Sequence, residues 1–253
     1  MRLKDKVAII TGAGRGLGQA FALRFADEGA QVVIAEIDQA NGANIAKEIE
    51  AKGGQALALC IDVSNEDSTQ EMAKKTMERF GKIDILVNNA ALIYKIGVKP
   101  WDDRMPEDWD RIFAVNVKGS WLCCKAVVPH MIPQGGGSII NITSSTHFSA
   151  EGQLIHYTCS KGAVISLTRV LARELGGHNI RVNAMSPGRT LSESSLDQIG
   201  VPPNVEDMVI QTRCLKRSEQ PDDLPGTAVF LASDDSAFIT GQTIIIDGGG
   251  VFL

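Results

Sequence analysis

The chain has 253 residues, 44% of them apolar and only 5% aromatic, a composition that excludes disorder and fits one α/β domain, 1–253, with a core of Val, Ile, Leu and Ala. Its 25 Lys plus Arg against 30 Asp plus Glu give a formal charge of -5 with no basic run along a phosphate backbone, so no nucleic acid partner is expected. The polar start Met1 to Lys6 leads into an apolar run too short for a signal peptide or a membrane span, so no membrane association and a cytoplasmic location are expected.

From the N-terminus, apolar β-rich runs alternate with helix-periodic stretches. Val7 to Ile10 is followed by Leu17 to Ala26, Val32 to Ala35 by Ala40 to Ala51, and Ala56 to Ile61 by Asp67 to Phe80. The alternation continues with Ile83 to Val87, a long helical stretch around Trp109 to His130, Ser138 to Ile142, and a helix through Tyr157 to Leu175. Ile180 to Met185 and Thr243 to Ile246 are the last two strands. Such alternation predicts a doubly wound Rossmann-type fold, a seven-stranded parallel sheet with helices on both faces and ligands at the strands' carboxyl ends. The irregular connection of about 188–211, with Pro202-Pro203, predicts a lid over an active site.

Directly after the first strand stands Thr11-Gly12-Ala13-Gly14-Arg15-Gly16-Leu17-Gly18, with a helix opening at its end. Glycines let the backbone approach a pyrophosphate, and the helix N-terminus offers N–H donors to the anion. Glu36 closes the second strand, where a carboxylate accepts from the adenosine ribose hydroxyls and repels the extra phosphate of NADP. Arg15 works the other way, since a guanidinium could pair with that phosphate. NAD is the expected cofactor. Asp62 follows the third strand, able to meet the adenine amino group or to cap the next helix. Asn88 and Asn89 follow the fourth strand, able to bond neighbouring strand backbones or a ribose.

Tyr157 and Lys161 stand one helical turn apart, so both emerge on one face. A phenol is a poor base at neutral pH, but a neighbouring ammonium favours the phenolate and makes the tyrosine usable as a general acid/base. Ser144 lies at the end of the fifth strand, where its hydroxyl could bond a substrate oxygen; Thr143 or Ser145 could face the cleft in its place. Candidate pocket residues are Ile93, Tyr94, Ser144, His147, Phe148, Leu154 and Leu191. His147 is expected as a neutral pocket or surface residue, since Tyr157 already fills the acid/base role. Trp101 and Trp109 are expected to anchor a surface helix. The acidic set Asp102, Asp103, Glu107, Asp108 and Asp110 reads as a solvated face. Cys60, Cys123, Cys124, Cys159 and Cys214 form no CxxC pair, and no metal is expected.

Together, Thr11-Gly12-x-x-x-Gly16-x-Gly18, Asn88-Asn89-Ala90, Asn116 within Asn116-Val117-x-Gly119, Ser144, Tyr157-x-x-x-Lys161, Asn183 and Pro187-Gly188 resemble the short-chain dehydrogenase/reductase family along the whole chain. The resemblance implies that Tyr157 exchanges a proton with the substrate oxygen while the nicotinamide exchanges a hydride with the substrate carbon. Lys161 would hold the nicotinamide ribose and lower the tyrosine pKa, Ser144 would position the substrate, and Asn116 would support a water relay. It further implies cofactor contacts at Gly12, Arg15, Gly16, Leu17, Gly18, Glu36, Asp62, Val63, Asn89, Ala90, Pro187, Gly188 and Thr190, and a homotetramer. Ala91 stands where the family usually has glycine, and Thr190 lies nearer Pro187-Gly188 than the usual threonine. Within the family the chain is similar to bacterial NAD-dependent secondary-alcohol dehydrogenases, including types that oxidise aryl alcohols or pyridoxal. Reduction of a 3-oxoacyl thioester or of a steroid ketone would use the same residues. A non-catalytic dinucleotide-binding or sensing protein would keep the fold without turnover.

Overall fold

The computed structural model describes residues 1–93, 98–150, 152–196 and 201–252. Seven strands, β1 (Val7–Thr11), β2 (Gln31–Glu36), β3 (Gln55–Cys60), β4 (Ile85–Asn88), β5 (Gly137–Ile142), β6 (Ile180–Pro187) and β7 (Thr243–Ile246), form one sheet in the order β3-β2-β1-β4-β5-β6-β7. Every neighbouring pair runs parallel. Such strands pair only through crossovers, and the helices making them cover both faces, so the strands are predominantly apolar.

The period of two along each strand sorts those residues between two cores. Ala8, Ile10, Val32, Ile34, Ile85 and Val87 meet α1 (Gly16–Asp27) and α2 (Gln39–Ala51) through Phe21, Phe25, Ile45 and Ile49, and meet α10 (Pro225–Ala232) through Val229 and Leu231. Ile9, Val33, Leu86 and Ile139 face the other way, onto α3 (Glu66–Phe80), α5 (Ser120–Met131) and α7 (Ile155–Leu175) through Met72, Cys123, Val127 and Ala172.

The expected long helix around Trp109 to His130 is interrupted. It runs as α4 (Pro106–Phe113), a π-helical segment Ala114–Gly119 and α5. Pro106 opens α4 where its missing N–H is not needed, and Glu107 and Asp108 sit in the first turn beside the positive end of the helix. Trp109 packs on Phe113 and on His156 of α7. Trp101, expected to anchor this helix, is instead 73% exposed.

The sheet order reverses between β1 and β4, which opens a crevice at their carboxyl ends. The connection after β6 is not structureless: it contains α8 (Glu193–Leu196) and α9 (Val205–Thr212). One further short helix, α6 (Thr146–Ser149), follows β5.

Candidate active site

A cleft of about 900 Å³ runs along the carboxyl ends of the strands. At its head is the glycine turn between β1 and α1. Gly12 and Gly16 have φ of 62° and 58°, a backbone that side chains disfavour. Asn89 stitches β4 to this turn, its Nδ2 donating to the carbonyls of Thr11 at 2.9 Å and Gly12 at 3.0 Å. Asn88 points into the sheet interior and donates to Asn141 Oδ1 at 2.9 Å. The two adjacent asparagines therefore divide their work.

Glu36 ends β2 against the same turn, accepting from Gly14 N–H at 2.9 Å and Asp38 N–H at 3.2 Å. Asp62 Oδ1 accepts from the Ser64 N–H and hydroxyl, and the cap of α3 is Asn65. Asp62 is therefore not the helix cap. Gly12, Arg15, Leu17, Gly18, Glu36, Asp62, Val63, Asn89 and Ala90 all line the cleft. Gly16 turns the chain into α1 and does not line it.

Farther along, α7 presents Tyr157 and Lys161 to the cleft, and its buried stripe of His156, Ser160, Lys161, Val164, Ile165, Thr168 and Ala172 docks it on the sheet. Lys161 is 3% exposed; its Nζ donates to the Ile142 carbonyl at 2.7 Å and lies 5.6 Å from the Tyr157 ring centre. Burial pushes its ammonium pKa down to about 8. Ser144 Oγ accepts from Thr146 N–H at 3.3 Å and from the Thr146 hydroxyl at 3.0 Å, which directs its own proton to another acceptor.

Asn116 sits in the π-helical segment and does not line the cleft. Its Oδ1 accepts from Leu92 N–H at 2.8 Å, and its Nδ2 donates to Ser160 Oγ at 3.0 Å. It ties the segment after β4 to α7, next to Tyr157 and Lys161.

Of the pocket residues expected from sequence, Ile93, Ser144 and Leu154 line the cleft, and Tyr94 lies outside the described residues. His147, Phe148 and Leu191 do not line it. Helix α6 begins at once after Ser145, so Thr146 and Ser149, three residues apart, share the cleft face. His147 turns outward, over Gly162 of α7, where an added Cβ would meet its Nδ1 at 2.8 Å, and it stacks edge-on with Phe148. A tight turn centred on Leu191, closed by Ser192 N–H on the Thr190 carbonyl at 3.0 Å, leaves Thr190 and Ser192 lining the cleft and Leu191 outside it. In α9, Val205, Met208, Val209 and Thr212 form a helical stripe that closes the outer wall.

A family model described as enoyl-(acyl carrier protein) reductase matches residues 12–250. The chain is 37% identical over 249 residues to the 3-oxoacyl-[acyl-carrier-protein] reductase of Thermotoga maritima, covering 98% of this chain and 99% of that one. It is also 37% identical over 251 residues to the 7alpha-hydroxysteroid dehydrogenase of Escherichia coli K12, covering 99% and 96%. The chain belongs to the short-chain dehydrogenase/reductase family. A solved 7alpha-hydroxysteroid dehydrogenase, complexed with NADH and 7-oxo glycochenodeoxycholic acid, superposes on this short-chain dehydrogenase/reductase with TM-score 0.93 at 36% identity, covering 99% of this chain and 96% of that one. The 3-ketoacyl-(acyl-carrier-protein) reductase from Brucella melitensis, complexed with NADH, does so with TM-score 0.90 at 36% identity, covering 99% and 100%. As a member of this family the chain is an oxidoreductase.

Besides Thr146, Ser149 and the α9 stripe, sequence reasoning missed a charged part of the site. Arg213 lines the cleft beside Pro187, Gly188 and Thr190, and it pairs with Glu219, Nη2 to Oε2 3.6 Å. Burial raises the Glu219 pKa. Neither residue lies on a periodic element, so only a charged pair six residues apart in a loop was visible, and that is ordinary surface composition. Among the described residues, no group of three His, Cys, Asp or Glu could hold a metal ion, and no helix is long and apolar enough to cross a membrane.

Proposed function

We propose that this short-chain dehydrogenase/reductase is NAD-dependent and interconverts a secondary alcohol and a ketone, with Tyr157 as the proton-transfer residue. The observation that carries it is the Tyr157–Lys161 pair, with Nζ 5.6 Å from the ring centre, opening into the same cleft as the glycine turn. The residues present fit a dinucleotide. No side-chain cap closes the first turn of α1 and no acidic residue lies in it, so its N–H donors suit a pyrophosphate. Pro187, Gly188 and Thr190 line the cleft where it passes Lys161. The carboxylate oxygens of Glu36 each keep acceptor capacity beyond their one backbone bond, enough for ribose hydroxyls, and their charge disfavours a further phosphate.

Bound NAD supplies the hydride acceptor in the oxidative direction. The Tyr157 phenolate takes the hydroxyl proton, and the Lys161 ammonium, charged below its pKa of about 8, favours that phenolate. Ser144, its oxygen already accepting from Thr146, donates its proton to the substrate oxygen as charge develops there. Leu92, Ile93, Val98 and Leu154 on one side and the α9 stripe on the other surround an apolar substrate body. Exposed Trp121 on α5 and Val170 on α7 offer apolar surface for a homotetramer. The test is Tyr157→Phe, which keeps the ring: kcat should fall at least about a hundredfold with NAD affinity retained. Near wild-type kcat would overturn the mechanism.

The relatives favour a second reading, reduction of a 3-oxoacyl thioester or of a steroid ketone. It predicts turnover of NADPH with a thioester, or of a steroid ketone, in preference to simple secondary alcohols. Cofactor binding without turnover on any of these would point to a non-catalytic dinucleotide-binding protein.

A further inference from the structure

Four consecutive residues of the turn after β6 are each held by Arg213 or Glu219. Gly188 N–H, bonded to the Ile246 carbonyl at 3.0 Å, also reaches Glu219 Oε2 at 3.3 Å, and the Arg189 carbonyl accepts from Arg213 Nη2 at 2.7 Å. The Thr190 hydroxyl donates to Glu219 Oε1 at 2.7 Å, and Leu191 N–H donates to the Glu219 carbonyl at 2.7 Å. Arg213 and Glu219 are 3% and 5% exposed. Gly188 lies between them so closely that an added Cβ would meet Arg213 Nη2, Glu219 Oε2 and Asp247 Cβ, each at 2.9 Å. A buried ion pair adds little net stability, because desolvation offsets most of the attraction. Here both charges are committed to the backbone and one hydroxyl of a cleft-lining turn.

The Thr190 hydroxyl has a single proton. With that proton on Glu219 at 2.7 Å rather than on the more distant Gly188 carbonyl at 3.4 Å, the hydroxyl offers only lone pairs to the cleft that Thr190 lines. We propose that Glu219, braced by Arg213, is a positioning residue that fixes Thr190 as a hydrogen-bond acceptor and so selects a carboxamide, which brings an N–H donor, over a carboxylate, which brings none. The inference rests on the cleft being a nicotinamide dinucleotide site. It makes the enzyme discriminate NAD from its deamidated analogue, nicotinic acid adenine dinucleotide, at one hydroxyl.

The experiment measures Kd for NAD, for nicotinic acid adenine dinucleotide and for ADP-ribose on the full-length wild type, Glu219→Gln and Thr190→Val. Wild type should bind NAD about tenfold more tightly than the deamidated analogue, the value of one buried hydrogen bond met or left unmet. In Glu219→Gln the carboxamide can donate to Thr190 and free its proton for the cleft, so the preference should shrink to about twofold or less. Thr190→Val, nearly isosteric but without the hydroxyl, should shrink it as well. ADP-ribose, which lacks the ring, should bind all three proteins alike. A wild-type preference retained in either variant overturns the proposal, as does equal weakening of NAD and ADP-ribose. Wild type that binds ADP-ribose without discriminating the two dinucleotides overturns this proposal alone. Wild type that binds none of the three overturns the dinucleotide reading as well.

Discussion

Lys161 illustrates how one residue can serve the chemistry while weakening the fold. Its ammonium is buried, and folding lowers its pKa from 10.5 to about 8. Between those values the unfolded chain holds the proton that the folded chain has released, so stability rises with pH across that window and is reduced below it. Lys161→Met should therefore abolish turnover yet stabilise the protein at pH 7 by on the order of a few kcal/mol. The gap to wild type should close as pH rises from 8 towards 10.5. Urea unfolding at a series of pH values measures both, and a destabilised variant would show that the bond to the Ile142 carbonyl outweighs desolvation. Burial lowers the pKa of His156, next to Tyr157, and its Nδ1 accepts from Tyr157 N–H at 2.9 Å. The sequence showed Tyr157 and Lys161 because helical spacing alone aligns them. It could not show how deeply Lys161 is buried, because that depends on β5 and the sheet beneath.

At the scale of elements, the glycine turn joins β1 to α1 in very little space. A Cβ at Gly18 would collide with the Gly12 carbonyl and meet Asn89 Nδ2 at 2.6 Å. Gly18→Ala should then destabilise the protein by about 1–3 kcal/mol, the usual cost of overpacking, and weaken NADH binding together with it. Calorimetric unfolding and a fluorescence titration check the pair of effects; wild-type values in both would show that the turn yields freely. The strand-turn-helix order around these glycines was legible in the chain, since apolar period and glycine placement are local properties. The break between α4 and α5 was not. Its π-helical turn sets Asn116 where it can bond Leu92 and Ser160, and those partners come from the connection after β4 and from α7.

At the scale of the whole molecule, the cleft draws on the carboxyl end of every strand, so a ligand filling it should stabilise the entire fold. NADH at a hundred times its Kd should add about 2.7 kcal/mol, which raises Tm by roughly 5–10 °C in a chain of this size. NADPH at the same concentration should raise it less, because its extra phosphate would stand beside Glu36. A thermal-shift series with both cofactors decides; an equal or larger rise with NADPH would show that Arg15 outweighs Glu36 and would reverse the cofactor preference.

Taken by itself, the sequence determined the alternation of strands and helices, the glycine turn with Glu36 behind it, and the Tyr157–Lys161 spacing. Each follows from chain-local rules of period, turn and reach. The tertiary structure alone decided which side chains meet: it turned His147, Phe148 and Leu191 away from the cleft, and brought Val205, Met208 and Val209 of α9 over it. It also enclosed Arg213 and Glu219 around Thr190. The physical reason is that a side chain's direction depends on its local turn, but its neighbours depend on how distant segments pack, and the separation of Thr190 from its two partners in the chain carries no periodic signal.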